Sequence, residues 1–301
     1  MSEPDELYTL RNLFWLGNFQ LAINEANGMK RCPPHLVTEK SEFMYRSYLA
    51  LGQYDVVLSE VSDTSAFSLR GVKVLAQVYS GVAEKEVGIT KLQEWLNADA
   101  SGTSIKSLQL MLSILHAQDG GATGANLSEA IKCLHAQSSM EQHAMLVQLY
   151  IRMDRFDFAQ KQLLKMKAAD EDCTLTMLAA GWCHLSAIPS PKAQEAGYIF
   201  EELADKYGAS TMLLNAQAVA KLHQKQFSEA ETILNEALAK APNDPDTLAN
   251  LIVTGQHLGR EQDVTKRYLN LLKKVAPAHQ LVTALGMFEG AFDRVSKSLQ
   301  V

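Results

Sequence analysis

The residues that could carry out chemistry in this chain are few, and their spacing does not favour catalysis. The most plausible nucleophile is Cys183, which follows Trp182 and precedes His184. A histidine that faced this thiol could activate it as a nucleophile. Adjacent residues on a helix point about 100° apart, however, so Cys183 and His184 do not face each other in a helical segment. We therefore interpret the triplet as packing residues, and an enzyme with its active site there is the less favoured alternative.

Metal and cofactor sites are also not predicted. The eight histidines form no H-x-x-x-H or H-E-x-x-H pair of the kind that binds zinc. The cysteines form no C-x-x-C pair, which fits a reducing cytosol better than a disulfide framework; they are Cys32, Cys133, Cys173 and Cys183. The segment Gly120–Gly124 resembles a phosphate-binding loop only in its glycine content, because it lacks the following Lys-Ser/Thr. We predict an inter-helix loop from Asp119 to Asn126.

Composition excludes several classes of function. The chain has 301 residues, 47% of them hydrophobic, and its formal charge is 28 minus 34, or −6. It therefore lacks the overall basic character that nucleic-acid binding requires. The acidic start does not resemble a signal peptide, and no apolar run approaches the roughly 18 residues of a membrane span. We expect a cytoplasmic protein with no nucleic-acid partner and no small-molecule substrate.

A 34-residue period in the last third of the chain is the most informative pattern. Four pairs of residues show it: Leu214 and Leu248, Ala230 and Val264, Leu234 and Tyr268, and Leu238 and Leu272. This is the period of the tetratricopeptide repeat, a helix–turn–helix unit. One such unit cannot bury its own apolar face, so the units must stack into a curved scaffold. A scaffold of this kind indicates a protein that binds or assembles others.

The same repeat can be followed along the whole chain. Each unit has an aromatic residue or leucine, two further residues and then a small residue; the pairs are Phe19 and Ala22, Tyr54 and Val57, Leu127 and Ala130, Phe156 and Ala159, and Phe227 and Ala230. Ala196 and Val264 keep only the second residue of the pair, and a weaker unit lies around Gly88. The predicted fold is all-α: a tetratricopeptide-like right-handed superhelical solenoid of about eight helix pairs plus a C-terminal helix, Gln280 to Gln300. We expect residues 1–301 to form a single domain.

The clearest unit begins at Thr211, with helices predicted over 211–224 and 228–240. Ala218 and Ala230 are small because the two helices cross closely there, and Phe227 is expected to fill the gap at the turn. Asp244 suits the N-cap of the next helix and Pro245 suits its first position, where a missing N–H costs nothing. Both helix ends are therefore specified by local sequence.

The inner surface of such a solenoid is lined by the first helix of each pair, at positions 2, 5, 9, 12 and 13. The partner-binding residues predicted in this way are Gln148, Ile151, Arg152, Asn215, Val219, Leu222, His223, Val253 and Gln256. They are largely apolar or neutral, and the Lys/Asn set with which tetratricopeptide co-chaperones clamp a carboxylate is missing. This favours an apolar or mixed partner segment held along the groove. The alternative is that these residues pack on the solenoid's own neighbours.

Several stretches go beyond the generic repeat. They are Asp5–Tyr8 with Asn12, Phe14 and Ile23–Ala26; Asp170–Asp172 with Thr174–Thr176 and Trp182; Tyr198–Phe200; and Gln256–Gly259 with Arg267–Leu269. In this order they resemble the epsilon subunit family of coatomer, the coat of Golgi-to-endoplasmic-reticulum vesicles. The resemblance covers about Asp5 to Val295.

The resemblance implies a non-enzymatic structural subunit with no catalytic residue and no cofactor, acting in Golgi-to-endoplasmic-reticulum and intra-Golgi transport. It implies that the superhelix grips the C-terminal domain of the coatomer alpha subunit and, through it, the other subunits. It also implies a cytoplasmic protein that is peripheral on Golgi membranes and coated vesicles, with only indirect membrane association. The alternative function is a tetratricopeptide adaptor or co-chaperone that binds peptide segments transiently.

Overall fold

The computed structural model describes residues 5–98, 104–118, 124–134, 139–186 and 191–299, which contain seventeen α-helices and no β-strand. The first eleven helices are α1 (Tyr8–Trp15), α2 (Phe19–Gly28), α3 (Val37–Ala50), α4 (Tyr54–Glu60), α5 (Phe67–Tyr79), α6 (Lys85–Ala98), α7 (Ile105–Ala117), α8 (Gly124–Cys133), α9 (Met140–Arg152), α10 (Phe156–Ala169) and α11 (Thr174–Ser186). The others are α12 (Ala193–Tyr207), α13 (Thr211–His223), α14 (Phe227–Lys240), α15 (Pro245–His257), α16 (Gln262–Val275) and α17 (Gln280–Leu299).

The predicted repeat is confirmed by where its marker residues lie. Four of the predicted aromatic positions are the first residues of second helices: Phe19 in α2, Tyr54 in α4, Phe156 in α10 and Phe227 in α14. The small residues three positions later are all buried; they are Ala22, Val57, Ala159 and Ala230. Their burial follows from the close crossing of the two helices of each pair, which leaves no room for a larger side chain. Seventeen helices correspond to the predicted eight pairs and one terminal helix.

The chain divides into two compact units, Met1–Ser186 and Ala187–Val301, which we call unit 1 and unit 2. In unit 1 each first helix contacts the next first helix, from α1 through α3, α5, α7 and α9 to α11. Helix α1 also contacts α11, so this row of helices closes on itself. In unit 2 the corresponding contact joins α13 and α15. The expected single domain over residues 1–301 stays a prediction.

Glycine takes the small position in the weaker unit predicted around Gly88. A Cβ atom on Gly88, in α6, would lie 2.9 Å from Val78 Cγ2 and 3.2 Å from Val74 Cγ1, both on α5. These distances are shorter than van der Waals contact allows, so only glycine lets the two helices approach this closely. The pattern is weaker here because glycine replaces the alanine or valine of the other units.

The clearest repeat follows its sequence closely. Ala218 and Ala230 are fully buried in one apolar cluster with Leu234 and Leu251. The Asp244 carboxylate caps α15 by accepting a hydrogen bond of 2.9 Å from the Thr247 backbone N–H. Pro245 is the first residue of that helix, as predicted.

Two predicted segments differ from the structure or lie partly outside it. The loop predicted from Asp119 to Asn126 is shorter at its end, because α8 already begins at Gly124; residues 119–123 lie outside the described residues. At the eighth repeat, Val264 is 38% exposed although it occupies the position that is buried in the other units. Helix α16 therefore lacks the close crossing at this position.

Candidate functional site

The possible nucleophile of the chain does not have the properties of a reactive thiol. Cys183 lies half-buried on α11, and this burial raises the pKa of its thiol to about 11. A nucleophilic cysteine needs the opposite shift, because the thiolate is the reactive form. Among the described residues, moreover, no three His, Cys, Asp or Glu side chains lie close enough together to hold a metal ion. The thiol thus argues against the alternative of an enzyme centred on Cys183.

The structure divides the nine predicted partner-binding residues between the two units. Gln148 and Arg152 are exposed and Ile151 is half-buried, all on the second half of α9 in unit 1. The other six lie on α13 and α15 in unit 2. Since these two helices contact each other, the six form one candidate surface, whereas the three residues of α9 belong to a separate one.

The surface of unit 2, which we call the α13–α15 face, combines three apolar side chains, Val219, Leu222 and Val253, with three polar ones, Asn215, His223 and Gln256. Val219 and Val253 occupy equivalent positions of consecutive repeats; Val219 is half-buried and Val253 is 36% exposed. Gln256 is exposed and His223 is half-buried. Leu222 is also half-buried, and it packs against the cluster of Ala218 and Ala230, so part of its side chain serves the unit itself. The face therefore offers apolar side chains with no carboxylate or lysine among the predicted residues.

Phe227 does more than fill the turn between α13 and α14. Its ring stacks on the imidazole of His257, at the end of α15, with a centroid distance of 4.5 Å and an interplanar angle of 5°. The contact joins the start of α14 to the end of α15, the first helix of the next repeat. It helps to fix the spacing of the two helices that form the α13–α15 face.

Asn215 has a structural role inside unit 2. It is buried, and its amide nitrogen donates to Thr247 Oγ1 at 2.8 Å and to Asp244 Oδ2 at 3.2 Å. Its side-chain oxygen accepts a 3.0 Å hydrogen bond from Asn250 Nδ2. These bonds join α13 to the capped start of α15. Asn215 thus fits the alternative interpretation of the predicted residues, in which they pack on neighbouring helices of the solenoid. A contact between Asn215 and a partner stays a prediction.

Replacing Asn215 with Ala should lower the free energy of unfolding by about 1–3 kcal/mol. The substitution removes the hydrogen bonds to Thr247, to Asp244 and from the half-buried Asn250, although the Thr247 hydroxyl still donates to Asp244 Oδ2 at 2.7 Å. Loss of buried hydrogen bonds costs about this much. Urea denaturation followed by circular dichroism would measure the change. Asn24→Ala on α2 is the matched control, because the side chain of Asn24 is exposed and accepts a 3.3 Å hydrogen bond from the exposed Gln20. A loss for Asn215→Ala no larger than that of the control would contradict this role.

A partly buried ionic network in unit 1 was not predicted from the sequence; the side chains of Arg46 and Glu141 are 12% and 22% exposed. Its centre is Glu141, in the first turn of α9, whose Oε1 accepts a 3.0 Å bond from Trp15 Nε1 at the end of α1. The guanidinium of Arg46, on α3, binds both carboxylate oxygens of Glu141, at 2.8 and 3.1 Å. The partners are separated by 126 and 95 residues in the chain. Glu141 is at an inward position of its repeat, but the repeat alone does not indicate what lies opposite.

The pKa values of Glu141 and Glu42 are shifted by burial and by their different distances from Arg46. Burial would raise the pKa of Glu141, but attraction and hydrogen bonding from Arg46, together with the Trp15 bond, outweigh it and hold the pKa below its usual value. Glu42, also on α3, has its pKa raised, first because it is buried, while Arg46 lies 3.5 Å away and lowers it only in part. Glu141 is thus the main counter-ion of Arg46.

The network borders a cavity of about 610 Å³ at the amino-terminal ends of α3, α5, α7 and α9. Its lining includes Glu42, Ser68, Ser107 and Glu141. Ser107 donates a 2.9 Å hydrogen bond to Glu42 Oε2. The carboxylates of Glu42 and Glu141 on the wall of the cavity therefore already have hydrogen-bond partners within unit 1.

Comparison with known proteins identifies relatives along the whole chain. Residues 3–300 match the family model of the coatomer epsilon subunit. The coatomer subunit epsilon-1 of Oryza sativa subsp. japonica is 42% identical over 301 residues, covering 99% of this chain and 100% of its own. The subunit epsilon-1 of Arabidopsis thaliana is 40% identical, covering 99% and 98%. The coatomer subunit epsilon of Dictyostelium discoideum is 32% identical, covering 98% of both chains.

Among solved structures, a chain in the crystal structure of the APC/C hetero-tetramer Cut9–Hcn1 has a similar fold. The TM-score is 0.61 and the identity is 12%; the match covers 90% of this chain and 53% of that one, so this chain spans about half of its length. That neighbour is a tetratricopeptide-repeat solenoid. At this level of identity the likeness concerns the fold alone.

Proposed function

The chain belongs to the coatomer epsilon subunit family, and on that premise we propose that it is a non-enzymatic coat protein whose α13–α15 face holds the C-terminal domain of the alpha subunit. Membership of the family makes the chain a component of coatomer that associates with other coatomer subunits. The identity of the partner and the surface that holds it are the proposed part. Among the described residues, no helix combines the length and apolar character needed to cross a bilayer.

The proposed place of action is the coat itself. The chain would serve Golgi-to-endoplasmic-reticulum and intra-Golgi transport, and it would reach Golgi membranes and coated vesicles through the other subunits. Its role there is structural, since the family is a coat component and Cys183 has a protonated thiol at neutral pH. We also propose that residues 1–301 act as a single solenoid domain.

The observation that supports the α13–α15 face is the recurrence of valine at one repeat position. Val219 and Val253 are equivalent by the 34-residue period, lie on contacting helices and keep part of their surface accessible. Apolar anchors at a fixed repeat spacing suit a partner segment that lays apolar side chains along the face. The stack of Phe227 on His257 keeps the two helices at a constant distance.

Replacing both Val219 and Val253 with Asp should weaken binding of the C-terminal domain of the alpha subunit by roughly tenfold or more. A carboxylate buried in an apolar contact loses its hydration without gaining a partner. Isothermal titration calorimetry with the purified full chain and that domain, produced as a recombinant protein, would measure the change. Leu222 is left unchanged, because it packs inside unit 2 and its substitution would also affect folding.

The matched control is Val264→Asp on α16. Val264 is 38% exposed, close to the 36% of Val253, and lies outside the α13–α15 face. We expect its affinity to stay within about twofold of the original chain. Unchanged affinity in the double variant would rule out this surface, and an unmodified chain that bound no alpha subunit would rule out the partner.

A further inference from the structure

The last helix of the chain, α17, leaves a large apolar side uncovered. None of its described residues is buried. Its first turn packs through Leu281 and Val282 against the apolar cluster of α15 and α16. Beyond this turn, five large apolar side chains are 58–79% exposed: Met287, Phe288, Phe292, Val295 and Leu299.

The helix gains little stability from its own unit. It spans 20 residues and contains Gly286 and Gly290, each of which disfavours a helix by roughly 1 kcal/mol relative to Ala. Helices in proteins are held mainly by packing of an apolar face. Most of α17 lacks such packing in unit 2, so a partner for its apolar side would stabilise it.

The spacing of the apolar residues specifies the kind of partner. Leu285, Phe288, Phe292, Val295 and Leu299 alternate in steps of three and four, and we call them the α17 seam. Steps of three and four are the a and d positions of a coiled coil, which pack against the same positions of another helix. The seam therefore fits a helix of about four turns rather than an extended strand.

The residues beside the seam are compatible with pairing between identical helices. In heptad terms the flanking e and g positions are Ala284, Glu289, Ala291, Ser296 and Ser298. Only one of them is charged, so two copies would not place rows of like charges opposite each other. The alanines also let two helices approach closely.

The area of the exposed seam suits a weak dimer. Four of the exposed side chains lie on the seam, namely Phe288, Phe292, Val295 and Leu299, and at these exposures they present on the order of 500 Å². This lies within the range of the largest patches on monomeric proteins, about 300–600 Å². Two copies together would bury about 1,000 Å², the size of a weak or transient interface.

We propose that a second copy of this chain docks on the α17 seam, so that two α17 helices pair and the chain forms a weak homodimer. A membrane surface suits the helix less well. The helix carries Glu289 and Asp293 against Arg294 and Lys297, so its charges cancel, whereas helices that lie on membranes have a basic polar face.

Sedimentation velocity of the full chain, from about 1 to about 100 µM, tests the pairing. We expect the weight-average mass to rise with concentration from monomer to dimer, with a dissociation constant in the micromolar range. The double variant Phe288→Asp, Phe292→Asp should raise this constant by roughly tenfold or more. Hydrogen exchange of residues 285–299 should slow as the dimer forms.

Two further variants separate the seam from general effects on folding. Leu164→Asp replaces a side chain that is 65% exposed on α10, and it should leave the dissociation constant within about twofold. Ala291→Glu adds a charge beside the seam at a position that is only half-buried, and it should weaken pairing by roughly fivefold while keeping helicity.

Three results would overturn the proposal. The first is a chain that stays monomeric throughout this range, and the second is a dimer that still forms in the double phenylalanine variant. The third is a monomeric chain whose seam variants no longer bind the alpha subunit or anionic phosphatidylserine vesicles. In the last case the seam belongs to that partner. The test is independent of the proposed α13–α15 face, because the valine variants there leave α17 unchanged.

Discussion

Replacing Glu141 with Ala is expected to lower the free energy of unfolding by about 3–5 kcal/mol. The side chain of Arg46 is only 12% exposed, and both of its hydrogen bonds to carboxylate go to Glu141. Without that carboxylate, the guanidinium would keep Glu42, 3.5 Å away, and the weaker attraction of Glu39 as its counter-ions. A buried charge that loses its main partner costs far more than an exposed one, because solvent does not replace the lost interaction.

Guanidinium chloride denaturation would measure the effect, with Glu229→Ala as the control. Glu229 binds Lys221 at 2.8 Å but is 55% exposed, so its removal should cost less than about 1 kcal/mol. Comparable losses for the two substitutions would show that burial of the Arg46–Glu141 pair does not strengthen it.

The contribution of Glu141 should also depend on pH. Its folded pKa lies below the ordinary value of 4.5, so the stability it provides is present above pH 4.5 and is lost as the pH falls through the folded pKa. The difference between the original chain and Glu141→Ala should therefore be largest near pH 7 and shrink below pH 4.5. Glu42 has the opposite dependence, because burial raises its pKa and the neighbouring Glu141 raises it further. Glu141→Ala removes that repulsion, so the change at Glu42 offsets a part of the difference near pH 7. A difference that grew on acidification would contradict this assignment.

Replacing Phe200 with Ala, in unit 2, should lower the free energy of unfolding by about 3–5 kcal/mol. Phe200 lies on α12, is fully buried and is among the largest side chains with no exposed surface. Its removal leaves a cavity that the surrounding helices can close only in part. Tyr198→Ala is the control on the same helix, because Tyr198 is 60% exposed and should lose less than about 1 kcal/mol.

The same two substitutions test whether residues 1–301 behave as one domain. Glu141 lies in unit 1 and Phe200 in unit 2. In a single cooperative domain both substitutions shift one common thermal transition. Two transitions, each moved by only one of the substitutions, would mean that the units unfold independently.

The local features of the fold could be predicted because each is specified by residues close in sequence. Phe19, Tyr54, Phe156 and Phe227 mark the starts of second helices, and small residues three positions later mark the helix crossings. The cap of α15 by Asp244 likewise needs only its own turn. Such signals recur with the repeat, and a period of 34 residues is visible without knowledge of the tertiary structure.

The ionic network of unit 1 could not be predicted in this way. Trp15, Arg46 and Glu141 belong to different repeats, and they meet only because the row of first helices closes on itself. A repeat determines which side of a helix faces inward, but the accumulated rotation between successive repeats determines which residues lie opposite. For the same reason the inward position of Asn215 stays a prediction from the repeat, while its bonds to Thr247 and Asn250 became evident only from the structure.

The contact between α1 and α11 has a consequence for synthesis of the chain on the ribosome. Trp15 emerges 126 residues before Glu141, which at about 5–20 residues per second corresponds to a delay of roughly 6–25 s. During that interval the early repeats can form their local pairs, but the indole of Trp15 lacks its carboxylate acceptor and the guanidinium of Arg46 lacks its main counter-ion, with Glu42 of the same helix still nearby. Unit 1 can therefore complete its folding only after α9 has been synthesised. A nascent chain interrupted before α9 would leave Trp15 and Arg46 accessible to chaperones.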